Sequence, residues 1–221
     1  MENKKIQRQY AQAAESSTFC LNGFCNRNFL NGEKGGGVSQ SAECLLLLDT
    51  DNILANYEHV VHTFGPVFDG NSRILILGSM PSVKSREQQF YYAHPQNRFW
   101  KVLAAVFKEA VPVSVDEKRE FLLKNHVALW DVIASCDIIG SSDSSIKNVK
   151  ENNMHVILDK TDIHTILVNG GKAYELFRKH CTQYLVGGNK HNVVKMPSTS
   201  PANAAWPLEK LIDIWRENIL T

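Results

Sequence analysis

Beyond residue 70 the apolar positions fall into two alternating patterns. Residues 74–77 (ILIL), 127–132 (VALWDV), 164–168 and 193–196 are short apolar runs of strand length. Runs of this kind suit parallel strands buried on both faces of a sheet. Between them the spacing turns helical. Phe99, Val102, Leu103 and Val106 share one helix face, and Ala173, Leu176, Phe177 and His180 share another. Leu208, Leu211, Ile212, Trp215 and Ile219 form a closing amphipathic helix that Pro207 is suited to begin. Ser114 followed by Glu117 is a capping-box signature that opens a helix running to about Asn125. A further helix is expected over 152–160. Strands alternating with helices predict an α/β fold, a three-layer α/β/α sandwich around a mostly parallel four-stranded sheet.

The first 58 residues lack this alternation. They hold a polar stretch near 11–17 and a Gly-rich segment (Gly35, Gly36, Gly37) that reads as a linker. Residues 45–48 with Ile53 and Leu54 are the one place there where a short helix is expected to dock. The reading is an N-terminal extension, 1–58, followed by a folded domain, 59–221.

Composition narrows the class. A chain of 221 residues, 43% hydrophobic, can bury a core without disulfides. Thirteen Gly, seven Pro and 21% charged residues exclude a collagen-like or wholly disordered chain. No apolar run approaches the roughly 18 residues of a membrane span. Five Cys at irregular positions suggest free thiols in a reducing compartment. The polar start MENKKIQRQY lacks the apolar segment of a signal peptide. A cytoplasmic location is therefore expected, at the nucleoid in a prokaryote or in the nucleus of a eukaryote.

Net charge is +1 with a pI near 7.7, which argues against a nucleic-acid binder that relies on bulk positive charge. Dividing the chain softens that objection. Of 24 basic and 23 acidic residues, five and seven fall in 1–58, leaving 19 and 16 in 59–221, a net +3.

Sites in parallel α/β sheets lie at the carboxyl ends of strands, so candidate chemistry is sought in the loops 78–97, 131–147, 169–172 and 197–203. The first reads GSMPSVKSREQQFYYAHPQN. Its turn residues Gly78 and Pro81 can aim backbone amides one way, Tyr91 and Tyr92 offer flat faces for a base, and Asn97 carries both donor and acceptor atoms. On residue type alone, capping of the following helix weighs more than catalysis for Asn97, and a turn is the usual outcome for Asp131. The Ser run 141–145 with Lys147 has the chemistry to hold a phosphate, although such a run is more commonly a solvated loop. His59 and His62 have metal-pair spacing but no accompanying ligands, and no metal or other cofactor is expected.

The segments GSMPS, YYAHPQNRFW, ALWDVIASC, GSSDSSIKN, NGGKAYELF and PSTSPANA, in this order, resemble the hypoxanthine-DNA glycosylase (DNA-deoxyinosine glycosylase) family of the uracil-DNA glycosylase superfamily. The likeness runs from about His62 to the C-terminus. AHPQNRFW also resembles a segment of mismatch-specific uracil glycosylases. The resemblance implies a uracil-DNA glycosylase-like fold and an enzyme of base excision repair that hydrolyses the N-glycosidic bond of a deaminated base in DNA, hypoxanthine first, leaving an abasic site. It implies that Gly78, Ser79 and Ser82 belong to motif 1, on the water and sugar side, and that Tyr92 stacks on the flipped base. It implies further that Asn97 is the catalytic asparagine and that Asp131 reads the base, with Gly78 beside it. By the same resemblance Ser198, Ser200, Pro201, Ala202 and Asn203 would form motif 2, which enters the minor groove, with Ser198 at the leaving-group position.

Two departures from superfamily patterns matter. Motif 1 holds no carboxylate, so the usual general base is missing, and orientation of the water falls to Asn97 or to motif-1 backbone. No Lys occupies a nucleophile position, which predicts a monofunctional glycosylase. Lys147, Lys84, Lys195 and Arg98 are the basic residues best placed to touch phosphates, with a solvated surface charge the equal alternative for each. The expected partner is DNA containing deaminated bases, with no membrane and no obligate protein partner. Other readings are mismatch-specific uracil excision, a small-molecule enzyme using Gly170, Gly171 and Lys172 for phosphate, and a non-catalytic nucleic-acid-binding or protein-binding module.

Overall fold

The computed structural model describes residues 57–185 and 191–220. Most of the expected extension, with its docking helix and Cys20, Cys25 and Cys44, lies outside the described residues.

Four parallel strands form the main sheet, in the order β3-β2-β6-β7: β2 (Ile74–Gly78), β3 (Val127–Asp131), β6 (Thr165–Asn169) and β7 (Asn192–Met196). Every residue of β2 and β3 is buried, which is why their sequences read as continuous apolar runs. Burying each such Leu or Ile contributes about 1.5–3 kcal/mol. β2 is central, flanked by β3 and β6. Helices α2 (Phe99–Phe107) and α3 (Val115–Lys124) lie on the crossover from β2 to β3, and α5 (Gly171–His180) on that from β6 to β7. The two crossovers run in opposite directions along the sheet. Right-handed connections therefore place their helices on opposite faces. The closing helix α6 (Leu208–Ile219) packs on α2, with the Trp215 ring edge-on to Phe99 at 6.1 Å. The four-stranded sheet and its flanking helices are those that the apolar periodicity predicts. The Ser114 capping box is present, with Glu117 N–H donating to Ser114 Oγ at 3.1 Å.

A second sheet was not legible in the sequence. β1 (Glu58–Val61), β4 (Ile133–Ile138) and β5 (Lys147–Glu151) form an antiparallel ribbon in the order β1-β4-β5. The expected loop 131–147 is thus largely strand and turn, because the chain leaves β3 through Val132 alone and continues directly into β4. The helix expected over 152–160 shrinks to a four-residue turn, α4 (His155–Leu158). Asn152 accounts for this. Its Nδ2 donates to the carbonyls of Asp131 (2.9 Å) and Ile133 (3.0 Å), tying the backbone to the β3–β4 junction. Asn153 Oδ1 then caps His155 N–H at 3.1 Å. The loop after β2 also contains a short helix, α1 (Val83–Glu87), capped by Ser82.

Cys136 and Cys181 are free and buried, and burial pushes their thiols up to about 11 and about 12. Among the described residues no helix is long and apolar enough to cross a membrane.

Candidate active site

The sheet order reverses between β2 and β6, since β2 connects toward β3 and β6 toward β7. The crevice outside the carboxyl ends of such strands is the usual ligand site of a parallel α/β sheet. A cavity of about 120 Å³ opens there, several times the roughly 10–15 Å³ that one water needs. It gathers Gly78, Ser79 and Ser82 after β2, Tyr92 and Asn97 from the long loop, Asp131 at the end of β3, and Ser198 and Ser200 after β7. Eight of the twelve residues singled out from the sequence thus share one cavity. Pro201 and Ala202 are exposed at the tip of the adjoining loop, and Asn203 braces that loop by donating to the Ser198 carbonyl at 2.9 Å. Lys147 is not among the lining residues. Its ammonium sits 3.8 Å over the Tyr57 ring.

Gly78 is required by close approach. A Cβ there would collide with Asp131 Oδ1 and come within 3.0 Å of the Tyr92 hydroxyl. Asp131 is buried, and its Oδ2 lies 3.0 Å from Nε2 of His62, which is also buried. His62 Nδ1 has no partner among the described residues. The tautomer carrying its proton on Nε2 donates to Asp131 and leaves only a bare lone pair inside, which costs less than a buried orphan N–H. His62 therefore belongs to the site as the support of Asp131.

Tyr92 has a positive φ of 51°, a conformation costing about 1–2 kcal/mol for a non-glycine residue. Its ring stacks on Phe99 at 3.9 Å, and its hydroxyl accepts from Asn169 Nδ2 at 3.0 Å. Only the face opposite Phe99 is left for a ligand. Burial, and then the charge of Asp131, push the phenol well above its ordinary pKa, so it stays protonated. Tyr91 goes to the core instead, with its ring edge-on to Phe64 at 4.8 Å and its hydroxyl on the Gly65 carbonyl at 3.0 Å.

The orientation of Asn97 is set by a chain of hydrogen bonds that starts at backbone N–H groups. Thr199 N–H donates to Asn169 Oδ1 (3.0 Å), so Asn169 Nδ2 is a donor, to Tyr92 and to Thr199 Oγ1 (3.0 Å). The Thr199 hydroxyl must then give its own proton to Asn97 Oδ1 (3.0 Å), which also accepts from Phe99 N–H at 3.0 Å. Asn97 therefore satisfies the first N–H of α2 from one position ahead of the N-cap Arg98, a capping role of the kind residue type alone suggested. Its oxygen is consumed in doing so, and the amide group left for a ligand is the donor Nδ2.

Two residues unmarked in the sequence complete this network. Thr199 is fully buried, and Asn169 nearly so. Both lie in loops flagged by position, but neither has a residue-type signal of its own. A third is Asp143, from a short 3-10 turn between β4 and β5, whose Oδ1 accepts from Ser79 Oγ at 2.7 Å. Much of the residue faces solvent, yet its carboxyl lines the cavity. Burial and the neighbouring Asp131 raise its pKa above the ordinary carboxylate value, against the Ser79 hydrogen bond and the Lys172 charge.

Arg98 is a correction. As a phosphate contact it would need a free guanidinium. Here it clamps the 198–206 loop from inside, donating to the carbonyls of Thr199 (3.3 Å), Ser200 (2.6 Å), Asn203 (3.1 Å) and Trp206. These acceptors are neutral, and among the described residues no carboxylate forms an ion pair with Arg98. Lys84 is occupied by Glu87 at 2.8 Å. Lys195 is exposed beside Gly171. The arrangement can hold a small planar ligand against Tyr92, with Asp131 as acceptor and Asn97 as donor.

The family model of the uracil DNA glycosylase superfamily matches residues 66–217. A curated protein of Methanosarcina acetivorans, named hypoxanthine DNA glycosylase, is 33% identical over 142 residues, 63% of this chain and 86% of the relative. A protein of the same name from Methanosarcina barkeri is 35% identical over 114 residues, 51% of this chain and 72% of the relative. The solution NMR structure of a candidate uracil DNA glycosylase from Methanosarcina acetivorans superposes with a TM-score of 0.60 at 31% identity, covering 71% of this chain and 94% of that one.

Proposed function

From the premise that this chain belongs to the uracil DNA glycosylase superfamily and is a DNA glycosylase, we propose that it excises hypoxanthine from DNA by hydrolysis and leaves an abasic site. The observation that carries the choice of base is Asp131, a buried carboxylate held by His62 at the cavity wall. An ionised carboxylate accepts and cannot donate. Hypoxanthine presents an N1–H donor where adenine presents an acceptor, so the site favours the deaminated base and leaves a buried charge unpaired against adenine.

In this reading the base leaves the stack, at a cost of a few kcal/mol, and slides against the open face of Tyr92. Breaking the glycosidic bond builds positive charge on the sugar and negative charge on the departing base. Asn97 Nδ2 is the donor that meets that negative charge. The loop 198–206, held by the half-buried Arg98, brings exposed Pro201 and Ala202 to the DNA. Among the described residues no lysine lines the cavity, which supports hydrolysis without Schiff-base lyase chemistry. Uracil also presents a ring N–H, so excision of uracil is the second activity that Asp131 permits.

The test is single-turnover excision from duplexes carrying hypoxanthine, uracil, xanthine or adenine, followed by alkali cleavage of abasic sites. Faster release of hypoxanthine than of adenine, with no strand breaks before alkali, is the expected result. Duplex binding without release of any base would refute the reading.

A further inference from the structure

Glycosidic hydrolysis needs a group to take the proton of the attacking water, and the motif-1 loop from Gly78 to Ser82 has no carboxylate to do so. Resting on the glycosylase reading above, we propose that Asp143 is the catalytic base, with Ser79 positioning it. The carboxylate reaches motif 1 from 64 residues away in the chain, and Ser79 Oγ donates to its Oδ1 at 2.7 Å. Oδ2 has no partner among the described residues and belongs to a carboxyl that lines the cavity.

The turn that carries Asp143 is fixed on both sides. Ser145 Oγ donates to the Ser142 carbonyl at 2.7 Å and accepts from Ile139 N–H at 2.9 Å. Ser141 Oγ accepts from Val83 N–H at 3.0 Å, which fastens the turn to α1.

Two carboxylates therefore face one cavity, and their surroundings give them different tasks. Asp131 has one oxygen committed to His62 and the other against Gly78, so it is held as a fixed acceptor for the base. Asp143 has a free oxygen. In the step, a water lone pair forms the O–C1′ bond while the C1′–N bond breaks and its electron pair leaves with the base. The water proton passes to Asp143 Oδ2. The products are an abasic deoxyribose with a C1′ hydroxyl and a base anion, which is protonated from solvent as Asp143 returns its proton. The raised pKa of Asp143 makes it a stronger proton acceptor than an exposed Asp, as general-base catalysis favours.

The charged and titratable groups that act on Asp143 are Asp131 from β3, Lys172 from α5, Cys136 from β4 and Tyr92 from the long loop, with His62 behind Asp131. A base must be ionised to work. The excision rate should therefore rise as pH climbs through the Asp143 pKa, which lies above the ordinary carboxylate value of about 3.9. Asp131→Asn removes a neighbouring negative charge and should move that rise to lower pH. Ser79→Ala removes a hydrogen bond to the ionised form and should move it higher.

The experiment is single-turnover excision from a hypoxanthine duplex between about pH 4 and pH 9, with the duplex Kd measured alongside. Asp143→Asn should be at least about a hundredfold slower and lose the rising limb, with Kd unchanged. Asp143→Glu should restore part of the rate and the limb. A rate for Asp143→Asn within about threefold of the unsubstituted chain, or a limb that falls with rising pH, overturns the proposal. If the Asn variant unfolds, the Glu variant decides, and a Glu variant that folds but shows no limb also overturns it. Absence of any base release by the unsubstituted chain instead sinks the glycosylase reading, and this one with it.

Discussion

At the scale of single residues, the direction in which a group points decides its chemistry. Asn97 has two faces in sequence, donor and acceptor, and the hydrogen bonds from Phe99 N–H and the Thr199 hydroxyl leave only the donor for a ligand. Asn97→Asp, which keeps the cap and removes the donor, should therefore slow hypoxanthine excision about as much as Asn97→Ala. That is roughly 100-fold or more if Nδ2 supports the leaving base as an oxyanion-hole donor does. Near-normal single-turnover rates in either variant would remove Asn97 from the chemistry. Asp131→Asn tests recognition. It replaces an acceptor-only group with one that can also donate, so hypoxanthine excision should fall by roughly 10- to 100-fold, the worth of a charge-assisted hydrogen bond of about 1.5–3 kcal/mol. The ratio of hypoxanthine to adenine excision should shrink as well, and unchanged rates and ratio would refute the assignment.

At the scale of elements, the loop 198–206 owes its shape to a side chain from the start of α2. Arg98 reaches four carbonyls of that loop, and a planar guanidinium is the only cationic side chain with enough donors in a fixed fork. Arg98→Lys keeps the charge and loses the fork. Amide hydrogen exchange across 198–206 should accelerate and the excision rate should drop, with the overall unfolding transition little moved. Unchanged exchange would show that the loop holds itself. This is also where a basic residue beside a binding loop misleads: Arg98 looked like a phosphate contact because its carbonyl acceptors, about a hundred residues away in the chain, leave no mark in the local sequence. The opposite case is β2, where four consecutive apolar residues could be read directly as a buried central strand.

At the scale of the whole molecule, the parallel sheet supplies the cavity and the antiparallel ribbon supplies part of what is in it. β1 pairs with β4 and is followed by His62, which holds Asp131, and by Phe64, which packs on Tyr91. The family match begins at residue 66 and so excludes both. A chain beginning at Tyr57 should keep the cooperative thermal transition and the excision rate of the full chain. A chain beginning at Pro66 should unfold at lower temperature and lose excision, because β4 is left with an open edge and Asp131 with a buried, unpaired charge. Equal activity of the two would show that the ribbon and His62 are dispensable.

The sequence by itself determined the α/β class, the four parallel strands and the helices between them, because each depends on burial repeated at a fixed period along a local stretch. Through its resemblance it also located most of the cavity, since sites in such sheets gather at strand ends. What only the tertiary structure decided are the contacts between distant segments: His62 behind Asp131 across 69 residues, Asp143 beside Ser79 across 64, and Thr199 turning Asn97 across 102. Such pairs have no period, and the same residue types would serve equally as caps, turns or solvated charges. Their roles come from the low-dielectric cavity into which the fold brings them, where an unpaired polar atom is costly and each hydrogen bond therefore fixes the next.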